Sequence, residues 1–314
     1  MNKIIANSFK SLRLWSIVAA LFCLTNLGKT QSDPQISHFM FAQTAYNPAF
    51  VTNEPVYNIW MLARQQWVGF NEAPSTQWIG FDTYFPKIGS LGLNISNDRL
   101  GFESALNLKL QYGFNLQLSE TMVLVPSFGA GIVSRSLDGT KLIYEDLHYH
   151  DPEGIYSMQN EMIPDFDAGI KLLTPTFVLG ISSTHIANSL TGTDFFQKPR
   201  HLYLFAGYRI VSDKIEIIPS MLVKSTMYIT HYDFNGMLIF NDKFWFGLSY
   251  RLQEAFTGLV GLKFQSKYSI GYSYDMHTGP VKAHSSGSHE IFLRATFAKP
   301  ENACPYLKTP RLFN

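Results

Sequence analysis

Between Phe102 and Leu118 the chain alternates two kinds of residue. Phe102, Leu106, Leu108, Leu110, Tyr112, Phe114, Leu116 and Leu118 share one parity, interrupted only by Ser104. Glu103, Ala105, Asn107, Lys109, Gln111, Gly113, Asn115 and Gln117 take the other. Successive side chains of a strand point to opposite faces, so this run predicts one long strand with an apolar and a polar face. The pattern recurs. Phe244, Phe246, Leu248, Tyr250 and Leu252 alternate with Trp245, Gly247, Ser249 and Arg251, and Tyr268, Ile270, Tyr272 and Tyr274 alternate with Ser269, Gly271, Ser273 and Asp275. Strands of globular proteins usually run about 5–6 residues, whereas a tilted membrane-spanning strand needs about 9–11. Aromatic and aliphatic residues on one face, with small and polar ones on the other, suit a lipid-facing wall around a wet lumen.

About fourteen such segments are predicted: 57–69, 76–86, 89–97, 102–118, 121–135, 165–173, 176–186, 200–212, 214–227, 231–240, 243–252, 257–264, 266–275 and 288–298. The gaps alternate in length. Those near Lys87, Glu120, Thr174, Asp213, Asn241 and Gln265 are tight, while 136–164, 187–199 and 276–287 are long. Short turns on one side and long loops on the other mark an all-β, transmembrane outer-membrane β-barrel of about 14 antiparallel strands, with short periplasmic turns and longer extracellular loops. Both termini then fall on the periplasmic side. A soluble sandwich or lipocalin also alternates, but it points its apolar face inward and does not need this many outward aromatics. A Lys or Arg facing lipid costs about 2–4 kcal/mol at the midplane, so Lys109, Arg209, Lys224 and Arg251 are expected in the lumen.

The first 32 residues are a different object. Lys3, Lys10 and Arg13 precede the apolar run Leu14 to Leu24, and Thr25 to Ser32 is small and polar. This reads as a secretory signal peptide cleaved near Gln31 to Asp33. Its apolar run is too short to cross a bilayer as a helix, which takes about 20 residues. Phe22 stands where a lipoprotein signal wants a small residue, which argues against lipidation at Cys23. The domain reading is a signal peptide over 1–32, an N-terminal periplasmic or lumenal lead over 33–56, the barrel over 57–298 and a periplasmic tail over 299–314. Composition agrees: the 314 residues are 46% hydrophobic and only 16% charged, against about 25% charged in soluble domains. The formal net charge of +1 gives no basic excess for nucleic acid. Loss of the leader removes four basic residues and no acids, and leaves Cys304 as the one cysteine, so no intramolecular disulfide can form.

Candidate chemistry is sparse. Loop 136–164 holds Asp138, Glu145, Asp146, His148, His150, Asp151 and Glu153, a set that could bind a divalent metal; the reading preferred for it is a solvated extracellular loop. Asp165 and Asp167 share one strand face and could pair with lumen bases. No nucleophile elbow, zincin or P-loop pattern is present. An outer-membrane phospholipase or protease is the weakest of the functional alternatives; no catalytic residue, cofactor or metal is assigned. The lead, "DPQISHFMFAQTAYNPAF", sits in the barrel mouth or lumen, or extends as a mobile periplasmic segment.

These residues also carry a resemblance. That opening, then "RQQWVGF" at 64–70 followed by Ala73-Pro74 and Thr76-Gln77, "SLGLNISND" at 90–98, "SGSHEI" at 286–291 and the pair Cys304-Pro305 are similar, in order, to the PorP/SprF family of type IX secretion outer-membrane proteins. The tail beyond Cys304-Pro305 is longer than the family pattern. The resemblance implies a non-catalytic outer-membrane component that helps deliver or anchor a specific secreted surface protein, in some cases an adhesin linked to gliding. It implies as partners that secreted client, the secretion machinery on the periplasmic side and outer-membrane lipid. A general porin or small-solute channel is the alternative. The motif residues singled out are Arg64, Gln66, Trp67, Gly69, Phe70, Asp82, Asn97, Asp98, Gly287, His289, Glu290 and Cys304. The long loops are expected to meet a surface client, and the lead and tail to meet periplasmic partners.

Residues 57–86 read as the first hairpin, with its loop at Asn71 to Ser75 and Pro74 in the turn. Ile59, Met61, Ala63, Ile79, Phe81 and Phe85 are expected on lipid and Trp67 in the outer aromatic girdle. Pairing about this loop sets residue 64 opposite 82, which predicts a cross-strand Arg64–Asp82 ion pair in the lumen.

Overall fold

The computed structural model describes residues 33–142, 154–187, 199–226 and 228–299. Fourteen antiparallel strands form the wall. They are β1 Val56–Gln65, β2 Ser75–Phe85, β3 Gly89–Leu100, β4 Glu103–Gly113, β5 Met122–Asp138, β6 Met158–Leu173 and β7 Phe177–Thr184, followed by β8 His201–Tyr208, β9 Ile215–Ser225, β10 Thr230–Phe240, β11 Phe244–Arg251, β12 Ala255–Phe264, β13 Tyr268–His277 and β14 Ser288–Ala298. Two short pieces, Leu116–Ser119 and Ile210–Val211, prolong β4 and β8 beyond local breaks. Each strand pairs with its sequence neighbours, and β14 closes on β1 over its full length. Closure satisfies every strand edge, which a wall in lipid requires.

The alternation is realised as read. Leu106, Leu108, Leu110, Phe246, Leu248 and Ile291 lie on the outer surface, while Arg64, Asn94, Asp165, Lys171, Ser273 and Glu290 are buried inside. Lys109, Lys224 and Arg251 point inward, and Arg209 pairs with Glu216 at 2.5 Å near the tight-turn end. The turn chemistry explains the tight end: Asn241-Asp242 and Gln265-Ser266 take positive φ at both central residues, the geometry that matches strand twist in two-residue hairpins. Some boundaries move. The predicted strand 102–118 breaks after Gly113, and the predicted loop 136–164 contracts because β5 and β6 run on to Asp138 and back from Met158. His148, His150, the leader and Cys304 lie outside the described residues.

Residues 33–55 occupy the lumen. They form two short turns, Gln43–Ala45 and Pro48–Phe50, and bury Phe39, Met40, Ala42, Tyr46, Ala49 and Val51. Phe39, Met40, Tyr46 and Phe50 pack with Leu173, Val178, Phe205, Ile218, Met237, Trp245 and Leu259 of the wall. The segment has little regular structure, so its backbone needs other partners. Wall side chains supply them. Asn94 and Gln111 amides donate to the Thr44 carbonyl at 3.0 and 2.8 Å, Ser182 to that of Tyr46 at 2.7 Å, Lys224 to that of Asp33 at 2.9 Å and Arg294 to that of Phe41. The polar lumen face is thus a lining fitted to one internal segment.

This placement corrects two expectations. The described residues do not begin on the periplasmic side: Asp33 contacts His185, His201 and Lys224 near the long-loop ends of β7, β8 and β9. From there the segment descends to enter β1 at the tight-turn end, so most of it is enclosed and cannot serve as a periplasmic docking arm. The first hairpin also has a different register. Arg64 pairs with Thr76 and Asp82 with Asn58. At about 3.3 Å per residue the two charges sit about 20 Å apart along the wall. Strand β1 ends at Gln65, because Trp67 and Gly69 take φ of 45° and 110° and break the extended run. The loop is therefore 66–74. The shift is even, so both charges keep the lumen face.

Glycine makes room for the segment at β7. A Cβ on Gly180 would overlap the Phe50 ring. Gly180→Val is expected to cost about 1–3 kcal/mol by overpacking and to raise protease cleavage within residues 33–55 while the wall stays folded; intact protection would show that Phe50 is not seated there.

Candidate functional site

Two motif blocks more than 200 residues apart, 64–70 and 286–291, meet at the barrel seam. Arg64 is in register with Glu290 and Gln65 with His289. Beyond the strand ends the zipping continues: the Val68 amide donates to the Gly287 carbonyl at 2.9 Å, the Ser286 amide to that of Val68 at 2.8 Å, and the Trp67 amide to Ser288 Oγ at 3.1 Å. Gly287 has φ 113°, and a Cβ there would strike the Tyr274 ring, so only glycine fits. The third block joins from the other side, with Thr76 Oγ1 donating to Asp98 at 2.6 Å and Asn97 to Gln77 at 2.8 Å.

Below this seam lies a charged clamp on the lumenal segment. Arg64 Nη2 reaches Asp275 at 2.6 Å and Nη1 reaches Glu290 at 3.2 Å. Glu290 also accepts the Ser37 and His38 amides at 2.9 and 2.7 Å and contacts His38 Nδ1 at 2.7 Å. Asp275 accepts Ser37 Oγ and Thr257 Oγ1 at 2.8 and 2.9 Å, with Arg251 at 3.4 Å. Both carboxylates are fully buried, which is tolerable only because each is surrounded by donors. Lys109 bridges Asp165 and Asp167 at 2.7 and 2.8 Å, as the shared face of the two acids implied.

Above the clamp a cavity of about 510 Å³ opens among the long loops. Its floor is Asp33, Pro34 and Gln35. Its walls include apolar Trp67, Leu100, Val133, Ile229 and Val281, and polar Gln66, Asp98, Glu103, Arg135, Glu254 and His277. Burial alone would raise the Glu254 carboxyl, but His231 and Arg251 outweigh it and hold the group well below the usual carboxylate range. Glu254 also accepts Gln35 Nε2 at 2.8 Å, so the rim grips the floor.

The motif residues divide among five places. Gln66, Trp67 and Asp98 line the cavity, which corrects the lipid-girdle placement of Trp67. Gly69 and Phe70 build the loop above it, where Phe70 meets His284 edge-on at 6.2 Å. Arg64 and Glu290 form the clamp. Asp82 is remote near the tight-turn end, where it accepts the Thr52 amide at 2.9 Å and Asn58 at 3.1 Å. His289 faces outward and bonds Tyr272 Oη at 2.6 Å. Sequence reading missed Ser37, His38 and Asp275 as clamp members; only Asp275 carried a signal, as the acid on the polar face of β13.

A closed antiparallel barrel with an apolar exterior and a lined lumen is an outer-membrane β-barrel. The solved CymD monoaromatic hydrocarbon channel shares the fold, at 12% identity and TM-score 0.51 over 82% of this chain and 93% of that one. Omp33 of Acinetobacter baumannii matches at 11% identity and TM-score 0.46, over 79% of this chain and 100% of its own. No curated protein matches. The family model for the type IX secretion system membrane protein PorP/SprF matches residues 28–295, and the chain belongs to that family.

Proposed function

We propose that this barrel is a non-catalytic outer-membrane component of type IX secretion that helps deliver or anchor one particular secreted protein at the cell surface, with the cavity among the long loops as the place where that client seats. The supporting observation is the filled lumen beneath a partly apolar vestibule. The seam blocks are spent on building that vestibule and clamping its floor. A general diffusion porin would keep a water-filled lumen instead. A surface adhesin is the client class the family favours, and the periplasmic machinery meets the tight-turn end.

Deletion of the gene followed by a census of secreted and surface proteins tests this reading. Loss of one or a few surface proteins supports it; an unchanged census with altered solute uptake favours the porin. Trp67→Ala offers a finer test. Buried aromatic anchors often contribute 2 kcal/mol or more to an interface, so client retention is expected to fall by about tenfold or more. The barrel should keep its heat-modifiable migration. Full retention would remove Trp67 from the client surface.

A further inference from the structure

Deep beside the vestibule floor, three residues from separate parts of the chain converge. Asp33 opens the lumenal segment, His185 follows the last residue of β7, and His201 begins β8. All three are buried, and one ligand atom from each lies within 4.8 Å of the others. We infer that Asp33, His185 and His201 form a binding site for one divalent transition-metal ion of the zinc class, which fastens the lumenal segment to the wall.

The hydrogen bonding points to a cation. His185 Nδ1 stands 2.8 Å from Asp165, while Nε2 stands 2.9 and 3.2 Å from the two oxygens of Asp33. The ring is held between two carboxylates. A neutral imidazole carries one N–H and can serve only one of them. The other contact sets a lone pair against a carboxylate unless a second proton or a metal ion lies there. His201 has the matching arrangement. Its Nδ1 stands 3.0 Å from the Pro199 carbonyl oxygen, which only accepts, so the ring proton is on Nδ1 and Nε2 is the basic nitrogen. His185 turns Nε2 to the Asp33 carboxylate, whereas His201 turns Nε2 to the Asp33 amide and has its Nδ1 3.7 Å from that carboxylate; both rings have Nδ1 held by an oxygen. That is the outer-shell arrangement of metal-binding histidine.

His201 Nε2 now accepts the Asp33 amide at 3.0 Å, a bond that the ion would replace. Two histidines, one carboxylate and an open fourth position make a common zinc donor set. A cavity of about 30 Å³, enough for one water, borders Asp33, Thr184 and His185, though not His201. His185 is held with φ 57°, and its amide is fixed by Asp167 at 3.1 Å, so the ring has one direction to point. The ligands lie 152 and 168 residues from Asp33, far outside any sequence motif spacing.

The test uses the full mature chain, without a polyhistidine tag, folded in detergent and freed of metal with chelator. Calorimetric titration with Zn²⁺ should give one saturable site per barrel, and Co²⁺ should give the visible absorption of a low-coordinate N/O site. His201→Ala and Asp33→Asn should abolish that site while heat-modifiable migration persists. Asp165→Asn, which touches the ion only through His185, should weaken it by about 10–100-fold. The absence of saturable binding in the parent chain would overturn the proposal, whatever the variants do. So would a site of unchanged affinity in His201→Ala, which would place the ion elsewhere.

Discussion

Deleting residues 33–51 is expected to convert a non-conducting barrel into one with steady ionic current in planar bilayers. The wall does not depend on that segment for its backbone bonds, which run strand to strand around the full circle. What the segment supplies is lumen contents. Without it, Asn94, Gln111, Ser182, Lys224 and Arg294 lose the carbonyls they now bond, and water takes that role at little cost because these groups are polar. The patch around Leu173, Val178, Phe205, Ile218 and Met237 is exposed to water, so the deleted barrel should also unfold at lower denaturant. Heat-modifiable migration establishes whether the wall is intact in the same sample. A folded deletion variant that stays electrically silent would mean that something besides the lumenal segment closes the pore. Conductance in the parent chain equal to that of the deletion would mean that the segment does not seal it.

Arg64→Met should loosen the lumenal segment more than any other single side-chain change at the clamp. The Arg64 side chain is 1% exposed and neutralises two fully buried carboxylates. Removing one member of a buried pair typically costs about 3–5 kcal/mol, because a charge is left without its partner. Here Asp275 keeps Arg251 and two hydroxyls, and Glu290 keeps His38 and two amides, so the lower part of that range is expected. Protease cleavage within residues 33–55 should rise steeply, while the wall strands stay protected. Adding Glu290→Gln to Arg64→Met should restore part of the loss, since it removes the orphaned charge; Glu290→Gln alone should destabilise. Additive losses in the double variant would show that Arg64 and Glu290 do not act as a pair.

Both results depend on features that differ in how far the sequence discloses them. Strand alternation is a local property, and lipid outside with a lined lumen inside makes it unambiguous. Leu106, Leu108 and Leu110 had to face outward and Lys109 inward, whichever strand lay next to them. The tight turns were legible for the same reason. The segments read as 89–97 and 257–264 proved to be longer strands, Gly89–Leu100 and Ala255–Phe264, because wall pairing on both sides extends the backbone beyond the local pattern.

Register was not legible, and the Arg64–Asp82 pair shows why. Side-chain parity repeats every two residues, so any even slip keeps the same faces inside and out. Only the left-handed conformations at Trp67 and Gly69 end β1 early enough to set the true pairing. The clamp was hidden for a related reason. Arg64, Asp275, Glu290 and Ser37 come together only once the last strand closes on the first and the opening segment turns into the lumen. The motif blocks could be recognised as a set without revealing that they touch.

The amino-acid sequence by itself determined that this chain is a membrane barrel, about how many strands it has, which face of each meets lipid and which end carries the long loops. Those follow from nearest-neighbour alternation and turn residues, whose energetics are local. The tertiary structure alone decided what fills the barrel and which charges pair. Ring closure brings residues more than 200 positions apart into hydrogen-bond range, as with Arg64 and Glu290, and a period of two carries no information about distance along a strand.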